Sequence, residues 1–232
     1  MRSVVGLSVL ATCIGIGALS VRMLAAQRQA AAVKAIQQIG GIVTYDWEVD
    51  DTGTRIANVE EPSLDGWRAV LGLDFFYDVY QVQFPKDVTD DGVRHIKDVR
   101  TVRAVNLAYC FDISDQAIQY LTALPNLRVL ELYANDPIER NNFVPIEFDL
   151  TKQGQITETS LEYIGRIRSL EELSLWDDDY SDRGIMQLSH LPELRYVFLR
   201  SSRVTEAGIA RLQQALPNTI VDADIVSKRI ND

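Results

Sequence analysis

The stretch SLEELSLWDDDYSDRGIMQLSHLP, residues 169–192, decides how the chain is read. Its three consecutive aspartates beside a tryptophan suggest an acid/base or metal site. The order of its residues suggests something else. An apolar alternation (Leu173, Leu175) leads through a short polar loop to Ser181 and Asp182, and apolar residues then recur at helical spacing (Ile185, Leu188, Leu191). The same order returns in TVRAVNLAYCFDISDQAIQYLTALP from 101 and in ELRYVFLRSSRVTEAGIARLQQALP from 193. A repeat period of about 24 to 25 residues points to a stack of identical small units rather than to one folded lobe. Two further copies are VYQVQFPKDVTDDGVRHIKDV from 79 and NLRVLELYAND from 126, whose helix, ITETSLEYIGRI, arrives only at 156. TIVDADIV, near the C-terminus, reads as a last strand and a C-terminal cap.

Each unit has a physical reading. Val105 and Leu107, Leu130 and Leu132, Leu173 and Leu175, and Val197 and Leu199 are two residues apart, so each pair faces one side of a short strand. Thr89, Ser114, Thr157, Ser181 and Thr205 stand where a helix N-cap belongs, each followed by an acid that favours the positive end of the helix dipole. One unit cannot bury its own apolar face, whereas a stack forms a continuous core. The expected fold is therefore α/β: a short solenoid with a parallel concave sheet and convex helices over residues 79–232.

These units resemble the leucine-rich repeat family, in its cysteine-containing and ribonuclease-inhibitor-like classes. The helix starts VTDDG and VTEAG are similar to the VTDAGL repeats of planctomycete bacterial proteins. The resemblance implies that Cys110 and Asn135, three residues after the second strand leucine, are buried and bond to neighbouring backbone. Asp178 and Ser202 depart from that pattern. It also implies a protein-binding module without catalysis.

The remaining segments differ in kind. Between Arg2 and Arg22 lie 19 uncharged, mostly apolar residues. At 1.5 Å per helical residue they are about long enough to cross a hydrocarbon core of roughly 30 Å. Residues 1–23 are accordingly expected to form one N-terminal transmembrane helix, with a cleaved signal peptide as the alternative. Such an anchor is commonly inserted with its tip inside, which makes an extracytoplasmic soluble domain the expectation. Residues 24–78 are expected to form an N-terminal α+β cap: LAAQRQAAAVKAIQQIGG as a helix ended by glycine, GIVTYDWEV as a strand and SLDGWRAVLG as a Ser-capped helix.

Charge excludes one class of partner. The chain carries 33 acidic against 23 basic residues, a formal net charge of −10, which repels phosphate backbones, so no nucleic-acid partner is expected. One of the two cysteines lies in the apolar segment, leaving Cys110 without a partner for a disulfide.

Candidate binding residues follow from strand alternation. If Leu173 and Leu175 face the core, then Glu131 and Tyr133, Trp176, and Tyr196, Phe198 and Arg200 face the concave surface of three neighbouring strands, with Asp177 and Asp179 beside them. Grouped exposed aromatics favour an unidentified protein partner. The competing reading is that a long insertion at about 136–155 folds over and covers them. Asp177, Asp178, Asp179 and Asp182 do not match a calcium-loop spacing, and neither they nor Asp46, Glu48, Asp50 and Asp51 are expected to hold a metal. His95 and His190 have no nucleophile nearby in the repeat, and no glycine-rich phosphate loop or HExxH motif occurs. No catalytic residue, metal or cofactor is expected. The functional expectation is a non-catalytic, membrane-tethered scaffold for protein–protein interaction through the concave face and the insertion. An envelope structural protein that self-associates is the alternative, and a hydrolase using the acidic loop the least favoured.

Overall fold

A computed structural model describes residues 2–133, 156–176, 180–201 and 203–225; for residues 2–16, Trp67, Tyr133, Trp176, Asp224 and Ile225 it describes the backbone alone. The insertion at about 136–155, Asn135, Asp177, Asp178, Asp179 and Ser202 lie outside the described residues.

The chain opens with helix α1 (Arg2–Gln38), strand β1 (Ile42–Tyr45), a 3-10 turn (Asp46–Glu48) and short helices α2 (Trp67–Leu71) and α3 (Leu73–Phe76). The repeats follow: β2 (Val79–Gln83), α4 (Asp90–Val93), β3 (Ala104–Asn106), α5 (Asp115–Leu121), β4 (Val129–Tyr133), α6 (Glu158–Ile164), β5 (Glu172–Trp176), α7 (Asp182–Ile185), β6 (Tyr196–Ser201), α8 (Glu206–Ala215) and β7 (Ile220–Ile225). Helices α4 and α7 continue into 3-10 turns, Arg94–Asp98 and Met186–His190. Among the described residues one seven-stranded sheet runs in strict chain order, parallel from β2 to β7, with β1 antiparallel to β2. The described strands and helices thus stack as successive strand–loop–helix units. Strand β1 pairs with the outer side of β2 and becomes the first edge of the sheet.

The core lies between sheet and helices. Val82, Val105, Leu130, Leu173 and Val197 meet in register along one buried row, and Leu132, Leu175 and Leu199 along the next. Full burial of such a side chain contributes about 1.5–3 kcal/mol. A third row, not read from the sequence, is formed by the residue preceding each N-cap: Val88, Ile113, Ile156, Tyr180 and Val204 are all buried. Tyr180, within the acidic stretch, therefore belongs to the core.

The N-cap residues act as expected at four of five positions. The side-chain oxygens of Ser114, Thr157, Ser181 and Thr205 accept from the backbone N–H of Gln116, Thr159, Gly184 and Gly208. Thr89 holds the position, but its side chain makes no cap bond. Helix α2 also departs from expectation. It starts after Gly66, at φ 56°, without a side-chain cap, so Ser63 does not begin it.

The acid after each cap does more than favour the helix dipole. Asp90 accepts from the N–H and hydroxyl of Ser114 (2.8 and 2.6 Å), Asp115 from those of Thr157 (2.8 and 2.6 Å), and Asp182 from those of Thr205 (2.8 and 2.7 Å). Glu158 accepts from the Ser181 N–H at 2.9 Å. Each acid thus clamps the cap of the next unit. The clamp also explains the small residue two positions further on: a Cβ at Gly208 would stand 2.1 Å from an Asp182 oxygen.

The Thr205 backbone N–H, the Thr205 hydroxyl and the Arg211 guanidinium hold the Asp182 carboxyl below its ordinary value of 3.8. A carboxyl whose folded pKa is depressed stabilises the fold above its unfolded value and loses that contribution as pH falls through the folded value. Asp182→Asn is therefore expected to lower the urea midpoint at pH 7, with the difference from wild type shrinking once the pH drops below about 4. A difference independent of pH would show that the carboxylate charge contributes nothing.

The cap is bound to the first repeat through α1. Ile36, Val33 and Ala32 are buried in the common core. Gln29, also buried, donates to Asp74 Oδ1 (3.0 Å) and the Tyr77 carbonyl (3.3 Å) and accepts from the Thr101 hydroxyl (2.9 Å). The Tyr45 hydroxyl donates to the same Asp74 oxygen at 3.1 Å, and burial together with that carboxylate raises its pKa. Gly40, at φ 88°, ends the helix, as the paired glycines predicted.

The expected membrane span falls largely on residues 2–16, whose side chains lie outside the described set, and among the described residues no helix is long and apolar enough to cross a membrane. Helix α1 continues unbroken from that segment into the cap, and Arg22, expected to bound the anchor, donates to the Phe75 carbonyl from Nε (3.1 Å) and Nη2 (3.0 Å).

Candidate functional site

Strand register arranges the concave face in rows. One runs Gln81, Ala104, Val129, Glu172, Tyr196, Ile220; the next runs Gln83, Asn106, Glu131, Ser174, Phe198, Asp222; a third runs Tyr133, Trp176, Arg200, Asp224. The expected binding residues Glu131, Tyr133, Trp176, Tyr196, Phe198 and Arg200 thus lie on three adjacent strands, but not in one line. Tyr133 stands beside Trp176, and Trp176 beside Arg200; Phe198 stands beside Ser174 and Tyr196 beside Glu172. Tyr196 and Phe198 are half-buried, and the Tyr196 hydroxyl donates to Asp222 Oδ2 at 3.1 Å. Asp177 and Asp179 fall outside the described residues.

The opposite half of the concave face contains a cavity of about 550 Å³ that sequence reasoning missed, apart from Glu131. Its floor is Gln81, Ala104, Asn106, Val129, Glu131 and Glu172 on β2 to β5, and one wall is the turn at Asp46–Gly53. That turn is tied by Asp50, whose Oδ1 accepts from the Thr52 N–H (2.9 Å), the Thr52 hydroxyl (2.6 Å) and the Thr54 N–H (3.0 Å). The Thr52 hydroxyl, ahead of the backbone bonds, holds the Asp50 carboxyl below its ordinary value. Gly53 is required there: its φ is +84°, and a Cβ would fall 2.0 Å from the Tyr80 hydroxyl. Of the acidic group, Asp46, Asp50 and Asp51 line this wall, while Glu48 accepts from the Tyr45 N–H and the Arg55 guanidinium.

The other wall comes from residues just before the strands, Arg103, Arg128 and Glu171, and Arg195 continues that column beyond the cavity. Glu171 pairs with Arg128 (3.2 Å) and Arg195 (3.8 Å), and the Arg103 guanidinium lies 5.8 Å from the Tyr80 ring centroid. This column was visible in the aligned repeats as VRAVNL, LRVLEL, LEELSL and LRYVFL. Glu131, on the floor, is half-buried and accepts a hydrogen bond from the Asn106 amide. Burial raises its pKa, the Asn106 bond opposes that rise, and the Glu172 charge adds to it.

The other residues singled out from the sequence, His95, His190 and Cys110, lie outside this cavity. His190 is exposed with Nδ1 3.0 Å from the Gln187 carbonyl oxygen, and His95 is half-buried on its 3-10 turn. Cys110 is buried with Sγ 3.4 Å from the Pro85 carbonyl oxygen of the preceding unit, and burial pushes its thiol up to about 12.

No protein-family model matches the sequence, and no curated protein matches it. Among solved structures, an internalin from Listeria monocytogenes is similar to part of the chain, with 18% sequence identity and a TM-score of 0.35. The likeness covers 58% of this chain and 38% of that one.

Proposed function

We propose that the chain is a non-catalytic leucine-rich-repeat scaffold, tethered to a membrane by the apolar first part of α1, that holds another protein against its concave face. The observation that carries this reading is the concave register. Tyr133, Trp176, Tyr196 and Phe198 lie on three neighbouring strands at positions that alternate with the buried Leu132, Leu175, Val197 and Leu199. Large, stiff side chains grouped on such a face are the residue types that dominate binding energy in protein interfaces.

The tether reading rests on the 19 uncharged residues between Arg2 and Arg22 and on the continuity of α1, which leaves no flexible joint between that segment and the cap. The domain is read as extracytoplasmic. The Cys110 thiol reaching a carbonyl of the preceding unit supports the cysteine-containing class of repeat. Simultaneous replacement of Tyr133, Trp176 and Phe198 by Ala is expected to abolish capture of the partner crosslinked in native membranes, at roughly 2 kcal/mol or more per hot-spot residue. Protease added to intact cells is expected to cut the wild-type domain. Undiminished capture by the triple variant would overturn the binding reading, and full protection from protease the location.

A further inference from the structure

Helix α1 leaves the domain with exposed apolar side chains around most of its circumference: Leu19, Val21, Met23 and Leu24. At about 100° per residue, these positions spread over roughly 200° of the helix. The complementary side is turned to α3. Arg22 on that side donates to the Phe75 carbonyl, and its guanidinium lies 5.4 Å from the Phe75 ring centroid. A protein docked on a helix covers one stripe, whereas lipid covers a helix all round. Helix α3 lies along α1 between Gln29, which donates to Asp74 Oδ1 and the Tyr77 carbonyl, and Arg22, about 10 Å nearer the N-terminus at 1.5 Å per residue. Helix α2 joins the start of α3 at Gly72, beside the end of the apolar segment. On α2, Arg68, Ala69 and Val70 are exposed, and Val70, at 82%, is the most exposed large apolar side chain among the described residues. The helix begins with Trp67, a residue type enriched where membrane meets water. In a chain of net charge −10, no acidic residue precedes Asp46, whereas Arg2, Arg22, Arg28 and Lys34 do, and such a basic segment is attracted to anionic headgroups.

We infer that the domain docks on the bilayer surface through α2, with Val70 inserted into the lipid interface beside α1 and Leu19–Leu24 crossing the headgroup layer. The inference rests on the tether reading and adds to it a second, peripheral contact. Because α1 already holds α2 at the surface, insertion of one short helix is an intramolecular step and needs little affinity of its own. The Arg22 bonds to the Phe75 carbonyl couple the two contacts, so that the domain keeps a fixed height and tilt above the membrane.

The test uses the full chain in nanodiscs of phosphatidylcholine and phosphatidylglycerol, with Cys13→Ser and one nitroxide-labelled cysteine at a time. Cys110 is buried and its thiol stays protonated at neutral pH, so it is not labelled. Power saturation compares collisions of the label with oxygen, which partitions into lipid, and with a water-soluble nickel complex. A label at Val70→Cys is expected to prefer oxygen, and one at Glu193→Cys, exposed on a distant unit, to prefer nickel. With the label moved to Ala69→Cys, adding Val70→Asp is expected to abolish the oxygen preference, since a carboxylate resists entry into lipid. Both α2 positions are exposed, so these substitutions leave the core intact. A label at Leu10→Cys reports the tether separately. Oxygen preference at residue 10 with nickel preference at residue 70 would overturn this inference and leave the tether standing; nickel preference at both would overturn the tether reading and this inference with it. Dipolar broadening between labels at residue 70 of two molecules would place a second copy on α2 in place of lipid and overturn the inference as well.

Discussion

Tyr180→Ala is expected to lower the free energy of unfolding by about 3–5 kcal/mol, the cost of deleting a large buried aromatic side chain. Tyr180 is 1% exposed and occupies the row just before the N-caps, where the other units place Val88, Ile113, Ile156 or Val204. Those residues are aliphatic and smaller, so this unit is built around a larger side chain, and truncation opens a larger cavity than it would elsewhere in the row. The neighbouring unit is also tied to this residue, because the Ser201 hydroxyl donates to the Tyr180 carbonyl at 3.0 Å. Urea unfolding of the variant measures the loss, and Tyr180→Phe separates volume from the hydroxyl. The phenylalanine variant keeps the ring volume and should lose much less than the alanine variant. An alanine variant within about 1 kcal/mol of wild type would show that the row does not carry the stack at this unit.

The second large effect is expected at the other end of the molecule. Ile36→Ala should cost about 2–5 kcal/mol, since Ile36 is fully buried where α1 meets the first repeat. Its methyl group also fills the space that a Cβ at Gly41 would claim, 2.5 Å away. In a solenoid each unit contacts chiefly its neighbours, so the damage should stay local. Hydrogen exchange is the informative measurement: amides of α1 after Arg22 should exchange faster in the variant, while those of β5 and β6 keep their protection. Uniform acceleration across the sheet would show that the cap and the repeats unfold as one cooperative unit.

Much of the architecture was legible in the sequence because the information is local and repeated. The spacing of Leu173 and Leu175, with Ser181 and Asp182 after them, specifies a strand, a loop and a helix start within about a dozen residues, and repetition supplies the independent copies that make the pattern specific. The departures have particular causes. Tyr180 was obscured because it sits among aspartates and because tyrosine is common on surfaces. Ser63 was expected to cap the helix of SLDGWRAVLG, yet the helix begins at Trp67, where Gly66 with positive φ makes the turn. Asp90, Asp115 and Asp182 look like helix-dipole partners in one unit, and only the stacked neighbour reveals that they bind its cap.

The candidate site was legible in part for the same reason. Alternation alone put Glu131, Tyr133, Trp176, Tyr196, Phe198 and Arg200 on the concave face. Their grouping into rows depended on which residue of one strand stands opposite which of the next. The cavity was hidden more deeply, since it joins a turn at residues 46–53 to a carboxylate at residue 131.

By itself the sequence determined the repeating unit, the face each strand residue takes and the acidic character of the surface, because these follow from periodicity and composition along the chain. Only the tertiary structure decided that the Asp46–Gly53 turn walls a charged cavity, that the cap acids bridge successive units and that the end of α1 packs into the core of the first repeat. Each of these depends on contacts between residues distant in sequence, whose pairing is set by the packing of whole units and not by any local preference.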